Sequence, residues 1–472
     1  MGKLGYKGLL LLGGMMMLGG AAQAQYLRSS YFMEGTSARL QLNPGLQPTK
    51  GYFNMPIIGS FNMSASSNVL GTSDIIDLMD SGSDLYSNDK LFDRLKADNR
   101  LNVNLNTDIL SFGWYRGKGF WSVNVGLRAD FGAALAKDMF SMMRTMNGFA
   151  LEDVAGTNQS YSLSNQTLNM KAYAEVGLGY SRRITEKLTV GGRVKVLLGL
   201  ARAEMNINQF DLNLDVPNPQ YTNYADYESR GELSPSDWYG AHYDYSANGN
   251  VITTLKGGGM TFDNNGMIDN FDLDAGDLGI AGSGFGIDLG ASYKVWDNLT
   301  VSASILDLGF LKWKESETTV ATVSGGDEVT INSENYDRYI GGDFLSFERF
   351  DFEEGSPEKV KTKTRLYSTL LLAGEYGLLN NKLSVGAMYT ARFAEPKTLT
   401  FLATFRPKNW LNAAISYSPI QASGKSIGLA VKLGPLFVGT DYMFFGGNSK
   451  SVNGFLGISF PLGGKPKPFS EL

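Results

Sequence analysis

Cysteine is absent from all 472 residues, and histidine occurs once, at His242. The first absence excludes disulfides, thiolate metal sites, cysteine nucleophiles and a lipid anchor on an N-terminal cysteine. The second leaves no set of imidazoles for a zinc or iron centre. Long apolar runs are also missing. Beyond the N-terminal segment, none reaches the roughly 18 residues that mark a membrane-spanning helix. Basic residues are the minority charge: without Lys3 and Lys7, 40 of the 42 remain against 47 acidic ones. A chain of that sign does not suit nucleic acid, whose phosphates need a basic face.

What is present begins with an export signal over residues 1–24. Lys3 and Lys7 form the positive region, Leu9 to Leu18 the apolar core, and Ala22-Gln23-Ala24 a small-x-small cleavage site, so the mature chain is expected to start at Gln25.

The main signal is alternation. From Leu188 to Val196 the even positions are apolar or small, and the odd ones carry Thr189, Arg193 and Lys195. Leu299, Val301, Ala303 and Ile305 alternate with Thr300, Ser302 and Ser304, and the same pattern recurs at Leu383–Tyr389, Leu411–Tyr417 and Ile427–Leu433. A period of two over about ten residues puts one face in an apolar medium and the other in a polar one, the signature of a transmembrane barrel strand. Fourteen such segments can be counted between residues 51 and 461: 51–63, 100–114, 119–131, 167–181, 187–203, 285–295, 299–311, 363–378, 382–392, 398–406, 410–419, 425–434, 436–446 and 450–461. Their connections alternate short and long, with the longest at about 64–99, 132–166, 204–284 and 312–362. Barrels of the bacterial outer membrane keep short turns on the periplasmic side and long loops outside. The expectation is therefore an all-β fold, a transmembrane antiparallel β-barrel of 14 strands, with both ends in the periplasm and a tail over 462–472. A part of 204–284 that extended the wall above the membrane would alter the count by two. Trp114, Tyr115, Trp121, Trp296, Tyr376 and Trp410 flank the short turns, as a girdle of boundary aromatics would.

Two loop stretches carry helical spacing, Ser73–Met79 and Ala133–Met146. The second bears Met139, Phe140, Met142, Met143 and Met146, suited to a greasy entrance, to the outer leaflet, or to a helix folded over the barrel mouth.

Ahead of the first strand, within 25–50, stands Ala38-Arg39-Leu40-Gln41-Leu42-Asn43-Pro44-Gly45-Leu46-Gln47-Pro48. Read alone, Asn43-Pro44-Gly45 is a tight turn. It also resembles the Asn-Pro-Ala segment of the long-chain fatty-acid transporter (FadL-like) superfamily, which includes the PorV-type barrels of Bacteroidetes and an uncharacterised Bacteroidetes branch that this chain is most similar to. The resemblance implies a 14-stranded barrel with residues 25–50 as a luminal hatch, Asn43, Pro44 and Gly45 being its motif. Gly45 departs from the pattern, which has alanine there. It further implies passage of hydrophobic or amphiphilic small molecules across the outer membrane. The rival reading is a scaffold or accessory subunit of a secretion, assembly or nutrient-uptake complex.

The loop 204–284 is chemically distinct. Between Asn206 and Ser283 it holds twelve acidic residues and two basic ones, Arg230 and Lys256. Tyr221, Tyr224, Tyr227, Trp238, Tyr239, Tyr243 and Tyr245 offer contact area for a partner surface protein or ligand. Asp263, Asn265, Asp272, Asp274 and Asp277 partly match the oxygen ligands of a calcium loop, though no glutamate closes it, so calcium is an optional expectation and no cofactor is required. His242 has no serine or carboxylate at a triad spacing, and no enzyme activity is expected. No Walker loop or dinucleotide fingerprint occurs, and outer-membrane lipids are the expected surroundings.

Overall fold

A computed structural model describes residues 28–33, 37–71, 74, 89–146, 156–218, 235–264, 268–274, 276–339, 353–392, 397–408, 410–420, 425–441 and 450–463. Fourteen antiparallel strands form its wall. They are β1 (Gly51–Asn54 and Phe61–Ser67), β2 (Asp98–Arg116), β3 (Gly119–Ala136), β4 (Thr157–Arg183), β5 (Leu188–Val216), β6 (Gly282–Trp296) and β7 (Leu299–Trp313). They continue as β8 (Lys363–Arg365 and Thr369–Leu378), β9 (Leu383–Arg392), β10 (Thr398–Lys408), β11 (Leu411–Ile420), β12 (Ser426–Leu433), β13 (Leu436–Thr440) and β14 (Ser451–Leu462). Each segment counted in the sequence overlaps one of them, several of which run past the expected bounds.

The wall closes because β1 pairs on both edges, Gly51 with Leu462 of β14 and Tyr52 with Gly113 of β2. Closure leaves no row of unpaired backbone groups facing lipid, where each would cost several kcal/mol. The alternation sets the faces as a bilayer demands. Val190, Val194 and Val196 of β5, Leu289 of β6, Ile305 of β7 and Leu429 and Leu433 of β12 point outward and are exposed. Between them Arg193 and Lys195 of β5, Asp288 of β6 and Ser304 of β7 are buried in the lumen. Among the described residues no helix is long and apolar enough to cross a membrane; this chain crosses with strands.

The region 204–284 differs from the loop expected of it. β5 runs on to Val216, and a further strand, His242–Leu255, lies between it and a strand at Thr318–Thr330 within the 312–362 stretch. A hairpin of Gly258–Phe262 and Ile268–Leu273 follows. The result is a sheet rising above the membrane from β4 and β5, outside the 14-strand circuit, since β6 pairs back onto β5 from Gly282–Gly199 downward. On β5 the pairing skips Leu200, and the buried face then moves from odd positions (Arg193, Lys195, Leu197) to even ones (Phe210, Leu212, Leu214, Val216). Such a bulge reverses the strand's faces. Within the bilayer the apolar face points out to lipid; above it, where water lies outside, the apolar face turns inward.

The helix expected from Ala133 begins at Lys137, because residues 133–136 still belong to β3. Its Met139 and Met142 are buried against the apolar core of the extracellular sheet, as in a helix folded over the barrel. Asp74 apart, Ser73–Met79 lies outside the described residues.

Candidate functional site

Residues 28–33 and 37–48 lie inside the barrel, and most are buried. They form a short 3-10 turn, Arg28–Ser30, a helix of five residues, Ala38–Leu42, and the turn at Asn43. A segment this short has too few internal bonds to hold its own shape, so the wall must hold it. Asn43, with 0% exposure, is the central fastener. Its Oδ1 accepts the Gly45 N–H at 2.8 Å, which makes the turn, while its Nδ2 donates to the carbonyls of Ala291 (3.3 Å) and Ala303 (3.2 Å) and to the Tyr31 hydroxyl (3.1 Å). Ser292 and Ser304 donate to the carbonyls of Gly45 and Leu42 at 3.0 and 2.7 Å.

The turn sits in a notch made of glycine. Gly191 of β5 and Gly290 of β6 are register partners. A Cβ on Gly290 would lie 2.1 Å from the Asn43 Oδ1, and one on Gly191 2.2 Å from the Pro44 carbonyl oxygen. A Cβ on Gly45 would meet the Ala291 backbone at 2.8 Å, which accounts for glycine where the FadL-like pattern has alanine.

Other ties go round the barrel. Arg193 donates to the Leu40 carbonyl (2.9 Å), Gln41 to Asp108 of β2 (2.6 Å), Ser37 to Asn54 of β1 (3.0 Å), and Arg406 of β10 to the Phe32 carbonyl (3.1 Å). Asp441, just past β13, accepts the N–H groups of Arg28 and Ser29 at 2.7 and 2.9 Å. Tyr31, Phe32, Leu42 and Leu46 pack on Leu306, Leu371, Met388 and Leu402, a strip of apolar side chains on β7 to β10. Burial raises the Tyr31 hydroxyl above its ordinary pKa, so it stays a neutral hydrogen-bonding group.

Above this plug lies a buried ionic layer that sequence reading did not single out. Lys195, 0% exposed, bridges Asp307 and Asp288, the latter at 2.8 Å. Arg193 stands 3.6 Å from Asp288. Arg128 pairs with Glu175 at 2.7 Å and lies 3.8 Å from Asp307. Lys171 and Arg392 approach Asp130 at 3.6 and 3.9 Å and flank the Tyr367 ring. Asp307 has a left-handed backbone (φ 57°), and its N–H donates to Asp288 at 2.7 Å beside a register shift between β6 and β7. A non-glycine residue held there inside a strand is strained, and its surroundings must fix it. The signal in the sequence was charge at lumen parity in mid-strand, of which only Arg193 and Lys195 stood out.

The residues expected to meet a partner are dispersed. Trp238, Tyr243 and Tyr245 are buried in the extracellular core with Leu212, Leu214 and Val329, so their rings serve packing. Tyr239 is 40% exposed. Tyr221, Tyr224 and Tyr227 lie outside the described residues, as does Asn265. Of the calcium candidates, Asp277 pairs with Lys256 at 3.1 Å, Asp274 accepts the Gly276 N–H at 2.8 Å, Asp272 accepts from Asn270 at 3.2 Å, and Asp263 is exposed. Among the described residues no three His, Asp or Glu group as a metal site. His242 stands on a strand, 3.0 Å from the Thr330 hydroxyl and 3.6 Å from Asp244. On the outer face of the same sheet the Ser162 hydroxyl and the Gln209 amide hold the Asp211 carboxyl below its usual pKa.

No protein of curated function matches the chain. Similar solved structures are a variant of the monoaromatic hydrocarbon channel TodX of Pseudomonas putida (12% identity, 90% of this chain and 94% of that one, TM-score 0.45) and the toluene transporter TbuX of Ralstonia pickettii (13%, 94% and 96%, 0.40). A FadL homologue of Pseudomonas aeruginosa is also similar (10%, 93% and 98%, 0.32). What those proteins carry does not transfer to this chain at such values. The pattern of one sequence family, described as a family of unknown function, DUF5723, matches residues 44–441. From Pro44 in the turn to Asp441, beside which β13 ends, the chain is thus covered by a single family, and it belongs to DUF5723.

Proposed function

We propose that this chain is a gated outer-membrane barrel that passes a hydrophobic or amphiphilic small molecule, with the plug segments 28–33 and 37–48 as the gate. One observation carries this reading: the apolar strip Leu306, Leu371, Met388 and Leu402 on the luminal face of four neighbouring strands, covered by Tyr31, Phe32, Leu42 and Leu46 of the plug. The plug occupies the surface that an apolar passenger needs, so a shift of the plug would exchange one apolar partner for another. Its fastenings are separate hydrogen bonds, the neutral ones worth about 1 kcal/mol net and those to Arg193, Arg406, Asp108 and Asp441 about 1.5–3 kcal/mol. None is a wall-to-wall bond, so the segment can move without unfolding the wall.

The test is entry of the hydrophobic dye N-phenyl-1-naphthylamine into cells carrying the protein, an empty vector, or Gly290→Ala. The methyl of the variant pushes Asn43 from its notch at about 1–3 kcal/mol. Dye entry is expected to rise with the wild-type protein and several-fold further with Gly290→Ala, the variant's heat-modifiable gel mobility showing that the barrel is intact. Equal entry in all three strains would sink the proposal.

A second reading, a scaffold that docks a surface protein, is favoured by the extracellular sheet. It has its own apolar core around Trp238 and Leu212, which passage alone does not require. One stoichiometric partner co-purified from native membranes, and lost when the sheet is deleted, would select it.

A further inference from the structure

On the lipid side of the wall, behind the plug's seat, the belt of large apolar side chains is interrupted. A groove of about 580 Å³ crosses β6 to β9 and reaches Leu399 of β10. The strand register explains its shape. One outward row runs Ala291, Ala303, Leu372, Tyr389; the next, nearer the periplasmic turns, runs Tyr293, Val301, Gly374, Ala387. Small residues therefore fall at the first two places of one row and the last two of the other. This cuts a diagonal channel between Tyr293 and Val301 on one bank and Leu372 and Tyr389 on the other. Its lining is almost wholly apolar.

We infer that this groove is the seat of one acyl chain of a phospholipid from the periplasmic leaflet. Its position selects the leaflet. Tyr293 lies three residues from Trp296, and Gly374 two from Tyr376, both exposed aromatics beside short turns, where the polar headgroups begin. Its shape selects the occupant. A second barrel presents a convex wall, and two convex walls meet at their crests, leaving a channel between them unfilled; a flexible hydrocarbon chain can lie along it. Nothing in the lining offers a charge or amide for the polar part of a ligand, so recognition is of the chain, with the headgroup at the boundary below.

The experiment uses the full-length protein extracted from outer membranes in mild detergent, with retained phosphatidylethanolamine counted by native mass spectrometry. Gly374→Leu fills the groove from the protein side. A Cβ at Gly374 meets nothing within 4 Å, so the leucine side chain starts from an open position on the wall, and heat-modifiable gel mobility checks that the barrel is intact. Gly454→Leu, at an equally open outward position on β14, is the control. Wild type and Gly454→Leu are expected to retain one phospholipid per barrel, and Gly374→Leu at least five-fold less. Loss of phospholipid from wild type, equal retention in Gly374→Leu, a bound mass that is not a phospholipid, or a dimer that Gly374→Leu dissociates would each overturn the assignment.

Discussion

The two halves of the barrel wall are built differently. β2 to β7 are tall, from 15 to 29 residues each, and β4 and β5 stand well above the membrane. Their luminal face holds Arg128, Lys171, Glu175, Arg193, Lys195, Asp288 and Asp307, nearly all in contact with an opposite charge. The described parts of β9 to β14 span 5 to 12 residues, about what a tilted strand needs to cross. Their luminal face is mostly hydroxyl, small or apolar: Ser384, Met388, Thr400, Leu402, Thr404, Ala414, Ser416 and Ala430. Arg392, Arg406, Lys432 and Asp441 are its charges, and Asp441 is given to the plug. The difference teaches where movement is cheap. Charges buried in pairs resist separation, because each partner left alone pays its full desolvation. Hydroxyls and methyls release a neighbour at little cost. A passenger or a moving plug should follow the short half, and the tall half is the frame.

The sharpest break in that comparison is Lys195→Met. It leaves Asp288 and Asp307 without their shared cation, in a place that water does not reach. Breaking one member out of a buried ion cluster costs about 3–5 kcal/mol. Urea unfolding in lipid vesicles should show a loss of that size. A loss below about 1 kcal/mol would mean that the tall half is not held by its charges.

The next effect is local. Leu212 of β5 is buried in the extracellular core, and its register partner on the strand His242–Leu255 is Tyr245. Leu212→Ala should cost about 2–5 kcal/mol, and the cost should fall on the extracellular sheet. Protease sensitivity within 235–264 should rise while the heat-modifiable mobility of the barrel stays unchanged. If both fall together, the sheet and the barrel are one cooperative unit, and the tall half is taller in name only.

How much of this was legible follows from what faces what. Strand number and connection order could be read because lipid forces an apolar residue at every second position, and Leu188 to Val196 shows it without interruption. The extracellular strands were hidden although the same alternation continues through Phe210, Leu212, Leu214 and Val216. Their outward positions are Asp211, Asn213 and Asp215, residues that in water favour turns, and the acidic, Tyr-rich stretch reads as a loop. The plug turn was legible from Asn43-Pro44-Gly45. Its seat was not, since Gly191 and Gly290 lie 99 residues apart and only the β5–β6 register joins them. The ionic layer was the least legible part. A charge in a strand says that one face is polar, and which opposite charge it meets depends on the stagger of strands that follow in sequence only after an extracellular insertion.

The smallest effect tests the short half directly. Thr400 of β10 and Ser418 of β11 share a hydrogen bond of 2.7 Å in the lumen. Thr400→Val keeps the shape and removes the hydroxyl, so the loss should be about 1 kcal/mol, the net worth of one neutral hydrogen bond. The number matters by contrast. With Lys195→Met at several times that value, the barrel has a stiff side and a compliant one, and the plug's apolar residues Phe32, Leu42 and Leu46 pack on a strip of which three residues, Leu371, Met388 and Leu402, lie on β8 to β10. Should Thr400→Val cost as much as Lys195→Met in the same urea experiment, the two halves would be equally rigid. Movement of the plug would then need a partner's binding energy, which favours the scaffold reading over passage.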